Sequence, residues 1–402
     1  MRTLPAPLWL LAGAVCVAAA CDGAAPQPER PAPVLPAVGD VSYDAFSVGE
    51  GELIVPHHRA LSVVDLGTGS VREIPFDAAY DLSFVRAVWP MSGEGWLFTG
   101  PLSAPNGPAH GLYSAPFAGG IMEPLEEWRG QAGGVAVHTD GEAGRFYAAH
   151  DDTGCDGFVL SAHTFRADRL ADPAPAETTS MCAATPSDRR PKRLWVSPSG
   201  KYAAVLVGHR DGVSPSKPSW LAFYDLEEAE PLGTVDVGAS SSGWADFAEE
   251  AGAAAFYYPK LSDGRLLRFG MPGLAESVPL QIDMDSDPMR AMVVAAAPNG
   301  DRVHVNDHDG EGTSVIYTVS AGGQVEADVL PGVVARNMAL APQGRFVLRE
   351  YPAGWFWQGE PRPERLLDRF WTYDPATGEV SEPVEVELPE GAFPRSGFFV
   401  QP

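Results

Sequence analysis

The stretch Leu194–Val205 reads LWVSPSGKYAAV, which is an apolar strand, a tight turn containing Gly200 and a second apolar strand. Two short apolar runs joined by a glycine turn are typical of a β-hairpin. The same pattern returns at Val293–Val305 and at Met338–Leu348. The hairpin is therefore a repeating unit of the chain.

Weaker copies of this hairpin turn at four further glycines: Gly51, Gly95, Gly144 and Gly252. Successive turns are 44 to 56 residues apart, a spacing that suits four short strands with their loops and is too long for most helical repeats. A second strand–turn–strand element follows each first one, at Leu61–Val71, Gly111–Pro124, Phe158–Leu170, Trp220–Val235, Arg265–Leu280, Ser314–Val329 and Phe370–Val380. The sequence predicts an all-β fold, a seven-bladed β-propeller, with six or eight blades as alternatives.

Two turn motifs resemble known propeller repeats. The turn SPSGK at Ser197–Lys201 is similar to the SPDGK turn of WD40-like and Tol-system propellers, and DLGTG at Asp65–Gly69 resembles the DxxTG turn of quinoprotein-type repeats. The resemblance covers about residues 41–402 and implies a fold rather than an activity. The chain ends in GFFVQP, Gly397–Pro402, and we expect this tail to join the first blade beside Ala45–Val48.

The N-terminus has the layout of an export signal. Residues 1–20 contain an apolar stretch, Leu8–Ala20, that is too short for a confident membrane span and ends in small residues before Cys21. This junction resembles the lipobox of bacterial lipoproteins, which implies a lipid on Cys21; an ordinary cleavage site is the alternative. Residues 21–40 are proline-rich and predict an extended tether, followed by a propeller domain at 41–402.

We therefore expect an exported chain, lipid-anchored to a bacterial membrane and either periplasmic or on the cell surface, with the choice of inner or outer membrane open. Only Cys155 and Cys182 remain once Cys16 leaves with the signal and Cys21 carries the lipid, and in an oxidising compartment they predict one disulfide. The formal net charge of -25 argues against nucleic acid as a partner. A monomer is expected.

A propeller has two unlike faces. The turns between the first and second and between the third and fourth strands, counted from the axis, share one face, which we call the turn face. The other, the loop face, carries second-to-third strand loops and blade-to-blade connections. The predicted insertions Pro101–His110, Gly208–Ser219 and Tyr351–Arg369 fall on the loop face, as does the predicted connection Arg166–Arg193. Elaborated loops on a rigid scaffold commonly carry binding sites.

Two groups on the loop face are candidate binding residues. The aromatic group is Trp355, Phe356 and Trp357, which could form a platform for a partner or glycan or could fold back over their own loop. The basic group is Arg189, Arg190, Lys192 and Arg193, which could receive an anionic group or could be a solvated loop.

Histidine and aspartate also collect near the loop face, where His150, His209, His308 and Asp307 could converge on a metal ion. The separation of their blades argues against this. No nucleophile elbow, Walker loop or HExxH motif occurs. We therefore expect no organic cofactor and favour a non-enzymatic scaffold that holds a protein or glycan partner. A metal-assisted lactonase or lyase acting in the central channel is the alternative.

Overall fold

A computed structural model of the protein describes residues 52–57, 59–77, 79–82, 87–91, 95–104, 107–116, 119–128, 132–140, 143–151, 155–166, 176–184, 189–209, 218–238, 245–250, 253–260, 263–282, 293–297, 302–308, 312–320, 323–335, 337–340, 344–350, 366–388 and 399–400. All of them belong to one compact unit, Leu35–Pro402. The predicted signal peptide, lipid site and tether lie outside the described residues.

Antiparallel β-strands account for most of the described residues, among which there is no α-helix. These strands form seven sheets, the same number as the blades predicted from the repeats. The prediction of an all-β propeller is therefore confirmed. No helix within the described ranges has the length and apolar character needed to cross a membrane.

The sheets are numbered here in chain order, and each consists of four main strands. Sheet 1 contains β1 (Leu53–His57), β2 (Ala60–Val64), β3 (Val71–Pro75) and β29 (Phe399–Val400). Sheet 2 contains β4 (Ala87–Met91), β5 (Gly95–Ala104), β6 (Gly107–Pro116) and β7 (Glu123–Trp128). Sheet 3 contains β8 (Ala132–Asp140), β9 (Ala143–Asp151), β10 (Gly157–Arg166) and β11 (Ala176–Ala184). Sheet 4 contains β12 (Arg189–Val196), β13 (Tyr202–His209), β14 (Ser219–Asp225) and β15 (Glu230–Gly238).

The remaining sheets repeat this arrangement. Sheet 5 contains β16 (Asp246–Glu250), β17 (Ala253–Lys260), β18 (Arg265–Gly270) and β19 (Ala275–Gln281). Sheet 6 contains β20 (Val293–Ala296), β21 (Arg302–His308), β22 (Thr313–Ser320) and β23 (Val325–Pro331). Sheet 7 contains β24 (Asn337–Leu340), β25 (Phe346–Glu350), β26 (Leu366–Asp374), and a fourth strand made of two pieces that both pair with β26, β27 (Glu379–Val380) and β28 (Val384–Leu388).

Burial changes from strand to strand within a sheet. Every residue of the second strand β13 is buried, and so are six of the eight residues of the second strand β17, whereas the fourth strands β19 and β23 are mostly exposed. A strand that packs against neighbouring sheets on both faces needs apolar or small side chains at every position, not at alternate ones. This explains why β13 and β17 are composed mainly of apolar and small residues.

In three of the sheets, an aspartate closes the turn between the third and fourth strands. The Oδ1 atom of Asp65 accepts hydrogen bonds from the backbone N–H of Gly67 at 2.7 Å and of Thr68 at 3.0 Å. Asp225 and Asp374 make the same kind of contact in sheets 4 and 7. An aspartate side chain that bonds its own backbone two residues on fixes a tight turn. The DxxTG motif thus has a local structural role.

The core lies between the sheets. Six clusters of buried side chains each join two sheets that are consecutive around the ring, and pairs representing them are Ile54 and Tyr113, Phe158 and Val205, Phe223 and Phe256, Tyr257 and Val305, Ile316 and Trp371, and Phe370 and Val55. Between sheets 2 and 3, strand β5 lies against β8. Each sheet is therefore held by its neighbours, and sheet 7 packs back onto sheet 1.

The C-terminal tail supplies the innermost strand of sheet 1. Strand β29 pairs with β1 through Leu53 opposite Val400 and Ile54 opposite Phe399. The prediction that the tail joins the first blade is confirmed, while Ala45–Val48 lies outside the described residues. The first sheet is thus built from both ends of the domain.

Two expectations about the loop face were wrong. The range Arg166–Arg193, expected to be a connection, contains the fourth strand of sheet 3, β11, and the start of β12. The range Pro101–His110, expected to be an irregular insertion, continues the β5–β6 hairpin, whose ladder pairs Pro101 with His110. Both segments are poor in large apolar residues, so their sequence resembles loops although their backbones are paired in sheets.

Candidate functional site

The basic group lies on a strand rather than in a loop. Arg189, Arg190, Lys192 and Arg193 belong to β12, the innermost strand of sheet 4, and all four are half-buried. The prediction of a solvated loop was wrong because consecutive basic residues and Pro191 give no apolar pattern. The predicted face is nevertheless right, since Arg189 begins β12 opposite His209, the last residue of β13, at the loop-face end of the sheet.

Arg189 is fixed against a tryptophan. Its guanidinium lies 4.7 Å from the centre of the Trp220 ring, and Nη1 donates a hydrogen bond to the carbonyl oxygen of Pro218. A guanidinium over an indole face is a favourable cation–π contact. Trp220 was assigned from the sequence only to a repeat strand, and no sequence signal distinguishes it from the other strand tryptophans.

A β-bulge redirects the side chains of β12. The register between β12 and β13 shifts between Pro191 and Arg193, so that Lys192 is the extra residue. Side chains alternate along a regular strand, and a bulge breaks that alternation. The direction in which each side chain near the bulge points therefore follows from the residues that it pairs with or contacts.

Three of the basic side chains share one side of sheet 4. Arg190 pairs with Gly208, and the place of a Cβ on Gly208 lies 3.1 Å from Cγ and Cε of Lys192. Gly208 alternates with Ala204 and Leu206, which pack in the cluster shared with sheet 5, so Arg190 and Lys192 point toward sheet 5.

Arg193 also points to that side, because it is two residues before Trp195, whose ring lies 5.4 Å from Phe256 of sheet 5. Arg189 points the other way, toward sheet 3, where Trp220 packs. The bulge thus collects three cations on the side of sheet 4 that faces sheet 5.

The neighbouring strand offers no described carboxylate near this group. On β16, Phe247 and the preceding Ala245 pack toward sheet 4, whereas Asp246 is paired with Tyr257 and alternates to the opposite side. Glu249 does face sheet 4, but it lies at the turn-face end, where it accepts a hydrogen bond from the backbone N–H of Ser199 at 3.0 Å.

A second charged group lies at the loop-face end of sheet 5. Burial would raise the pKa of Asp263, but hydrogen bonds from Arg265 and Lys260 outweigh it and hold this pKa below its ordinary value. The Lys260 ammonium is 3.3 Å from Asp263. Lys260 is therefore already neutralised by a carboxylate.

The candidate metal ligands are spread over three sheets. His150 lies near the end of β9, His209 at the end of β13, and Asp307 and His308 at the end of β21. His209, Asp307 and His308 are buried. Within the part of the chain that the structure describes, no group of three or more His, Cys, Asp or Glu residues is arranged to hold a metal ion.

The two predicted cysteines are at disulfide distance. Cys155 precedes β10 and Cys182 lies in β11, with Cα atoms 5.7 Å apart. The pair joins the second-to-third strand loop of sheet 3 to its outermost strand, near the loop face. Trp355, Phe356 and Trp357 lie outside the described residues.

An open cleft of about 390 Å³ occurs elsewhere, between the outer parts of sheets 6 and 7. Its walls include Val329, Trp371 and Pro383, and it forms where residues 381–383 interrupt the fourth strand of sheet 7. It contains none of the residues predicted from the sequence to bind a partner.

The fold places this chain in the class of β-propeller proteins. It is similar to an oligogalacturonate lyase in complex with manganese, with a TM-score of 0.51, 13% identity and 83% of this chain and 85% of that chain covered. It is also similar to the dihydro-heme d1 dehydrogenase NirN in complex with DHE, with a TM-score of 0.52, 12% identity and 92% and 79% covered.

A putative 6-phosphogluconolactonase from Bacteroides uniformis shows a lower similarity, with a TM-score of 0.49, 15% identity and 85% of this chain and 97% of that chain covered. No protein-family description and no curated protein sequence matches the chain. At these identities the lyase and dehydrogenase structures support the propeller fold and nothing about activity.

Proposed function

We propose that this protein is a non-enzymatic binding scaffold, anchored to a bacterial membrane through a lipid on Cys21, that holds a protein or glycan partner of the cell envelope on its loop face. The sequence supports the anchor through its signal-like residues 1–20 and its proline-rich residues 21–40. The loop face is favoured because the turn face is closed by short, self-bonded turns.

The observation that carries the proposal is the Arg189–Trp220 pair. Arginine and tryptophan are the residue types that most often dominate binding energy at interfaces. Here the guanidinium is held by both the indole ring and the Pro218 carbonyl oxygen. Side chains that are ordered before a partner arrives lose less conformational freedom on binding, so the pair is a preformed anchor.

The binding role can be tested by photo-crosslinking in the bacterial envelope. A photo-reactive residue at Pro218, which is exposed beside Trp220, should give a discrete adduct that disappears when the probe is combined with Trp220→Ala. The same probe at Glu228, exposed in the turn after Asp225, is the matched control on the turn face. Identical adducts from both probes, or none from Pro218, would contradict the proposal.

The anchor is tested separately. We expect Cys21→Ser to move the full-length chain from the membrane fraction to the soluble fraction of the envelope, because a diacylated cysteine supplies the affinity for lipid. Metabolic labelling with a fatty acid should mark the native chain and not the variant. A native chain that carries no fatty acid would overturn the lipid assignment and leave the loop-face proposal intact.

A further inference from the structure

The cleft between sheets 6 and 7, which we call the outer cleft, lies on the outer strands of the ring. One wall is the end of β23, with Val329 and Pro331, and the other is the interruption of the fourth strand of sheet 7, with Glu382 and Pro383. Trp371 of β26 also lines it. A volume of about 390 Å³ is at the lower end of the range for ligand pockets, so the cleft suits one or two side chains rather than a large ligand.

The outer cleft combines apolar side chains with a single charged one. Val329 is 62% exposed although it is apolar, and Trp371 is buried beside it in the lining. Glu382 is the one charged residue of the lining, it is exposed, and it makes no ion pair with any residue that the structure describes. An apolar wall next to such a carboxylate is complementary to an aliphatic stem that ends in a positive charge.

Two arginines of sheet 7 are paired with other carboxylates and do not neutralise Glu382. Nε of Arg345 lies 3.7 Å from Oδ2 of Asp374, and Nε of Arg369 lies 2.9 Å from Oε1 of Glu385. The whole chain has a formal net charge of -25. The local and the long-range charge therefore both favour a cationic ligand group over an anionic one.

The strand edge at the outer cleft is poorly suited to pairing with a further strand. Pro383 has no N–H to donate, and Glu382 and Glu385 place charge along the same edge. Both features protect edge strands from the addition of another strand. The backbone N–H of Ser381 is already bonded to the carbonyl oxygen of Thr372 at 2.9 Å. A partner at this edge therefore inserts a side chain and does not extend the sheet.

We propose that the outer cleft binds an arginine side chain presented by a surface segment of a partner protein. The guanidinium pairs with the Glu382 carboxylate, and the aliphatic stem contacts Trp371 and Val329. Arginine is preferred to lysine because its planar fork matches a carboxylate edge with two parallel hydrogen bonds. The Arg189–Trp220 pair belongs to sheet 4, so the outer cleft is a second contact surface, beyond the proposed loop-face function.

The test is peptide-detected saturation-transfer NMR on the full-length chain in mild detergent, with Ac-Gly-Leu-Arg-Leu-Gly-amide as the probe. We expect saturable binding in about the millimolar range, as a contact of this size allows. A probe with glutamine in place of arginine should bind about fivefold more weakly, because an exposed charge pair is lost. A probe with lysine should bind about threefold more weakly, because it keeps the charge and loses the fork.

Variants of the protein assign the binding to this cleft. Glu382→Gln should weaken the arginine probe about fivefold and leave the glutamine probe unchanged, because both substitutions remove the same ion pair. Val329→Ser should weaken both probes about twofold, since it removes part of the apolar wall. Glu230→Gln is the matched control and should change neither: Glu230 is exposed and precedes Pro231, as Glu382 precedes Pro383, but it begins the uninterrupted strand β15.

Glu382, Val329 and Glu230 are all exposed, so each variant should melt close to the native protein, which calorimetry checks. The absence of saturable binding by the arginine probe, or equal binding of the arginine and glutamine probes, would refute the site. Equal weakening by Glu382→Gln and Glu230→Gln would refute it too, since that result would reflect the overall charge of the chain. Photo-crosslinking at the loop face does not involve these residues, so the two proposals fail separately.

Discussion

At the scale of single residues, two buried tyrosines couple the stability of the fold to alkaline pH. Burial raises the pKa of Tyr224 well above its ordinary value of 10.0. The pKa of Tyr373 is raised by burial and by its hydrogen bond to the carboxylate of Asp328, which lies on the neighbouring sheet 6. In both cases the folded state retains a proton that the unfolded chain loses first.

We expect the free energy of unfolding to be insensitive to these groups below about pH 10 and to fall above it, because the unfolded chain then binds fewer protons than the native one. Tyr224→Phe should make this alkaline decline shallower without a loss at pH 7, since its ring contact with Phe158 remains. Urea unfolding between pH 7 and pH 11 measures the slope.

Tyr373→Phe is the informative comparison. It should also make the decline shallower, but it should cost about 1.5 kcal/mol at pH 7, because the Asp328 carboxylate loses a hydrogen-bond donor. A slope that is unchanged in both variants would show that other groups control the alkaline transition.

At the scale of elements, the turn at Ser197–Lys201 shows why its glycine motif could be recognised in the sequence. Gly200 has a φ of +74°, in the left-handed region, and its N–H donates to the carbonyl oxygen of Ser197 at 2.8 Å. The hydroxyl of Tyr147, on sheet 3, lies 3.0 Å from where a Cβ on Gly200 would be. The left-handed backbone therefore favours glycine, and a side chain here would press on the Tyr147 hydroxyl.

Gly200→Ala and Gly344→Ala form a matched pair. Gly344 has the same φ of +74° in the corresponding turn of sheet 7, but no atom lies within 4 Å of its Cβ position. Each substitution should cost about 1 to 2 kcal/mol for the left-handed backbone. Gly200→Ala should cost more, because Tyr147 is buried and cannot move freely. Thermal unfolding compares them, and equal losses would mean that the Tyr147 contact relaxes easily.

The hairpin β10–β11 shows where sequence patterns fail. Its outer strand, Ala176–Ala184, reads AETTSMCAA and follows a long polar stretch, so the fourth strand of sheet 3 was predicted too early, within Phe158–Leu170. The second strands β13 and β17 are largely buried and keep an apolar pattern, whereas outer strands face solvent and do not need one. The basic residues of β12 were misread for a different reason: β12 is the innermost strand of sheet 4, but its consecutive cations and Pro191 leave it without an apolar pattern.

The disulfide compensates for this weakly patterned hairpin. Cys155 and Cys182 are 27 positions apart, and closing such a loop should stabilise the fold by about 3 to 4 kcal/mol in the chain-entropy picture. Reduction should therefore lower the urea midpoint of the native chain, and Cys155→Ala with Cys182→Ala should match the reduced protein. The double variant should not respond to reductant; an unchanged midpoint of the native chain on reduction would mean that the hairpin is held without the bond.

At the scale of the whole molecule, the ring of sheets closes where sheet 7 packs against sheet 1. Phe370 and Val386 of sheet 7 pack in one cluster with Leu53 and Val55 of sheet 1, so the last and first sheets are held by buried apolar contacts. The tail was predicted to join the first blade because Phe398, Phe399 and Val400 are too apolar for a frayed, solvent-exposed end. The tail also has the pattern of an inner strand; what the sequence did not show is that it pairs with Leu53 and Ile54 of β1.

Because the C-terminal tail forms a strand of sheet 1, a truncation of only four residues should lower the stability of the whole domain. Deleting residues 399–402 removes β29 and its pairing with Leu53 and Ile54, which should cost at least 2 kcal/mol at about 1 kcal/mol per backbone hydrogen bond. It also leaves the inner edge of β1 without its partner at the closure of the ring, and an unpaired strand edge favours association between chains. We therefore expect a lower melting temperature together with concentration-dependent aggregation, measured by calorimetry and light scattering. Deleting only residues 401–402 leaves β29 in place and is the control; if the two truncated chains melted at the same temperature as the native protein, the two-ended first sheet would not be what closes the ring.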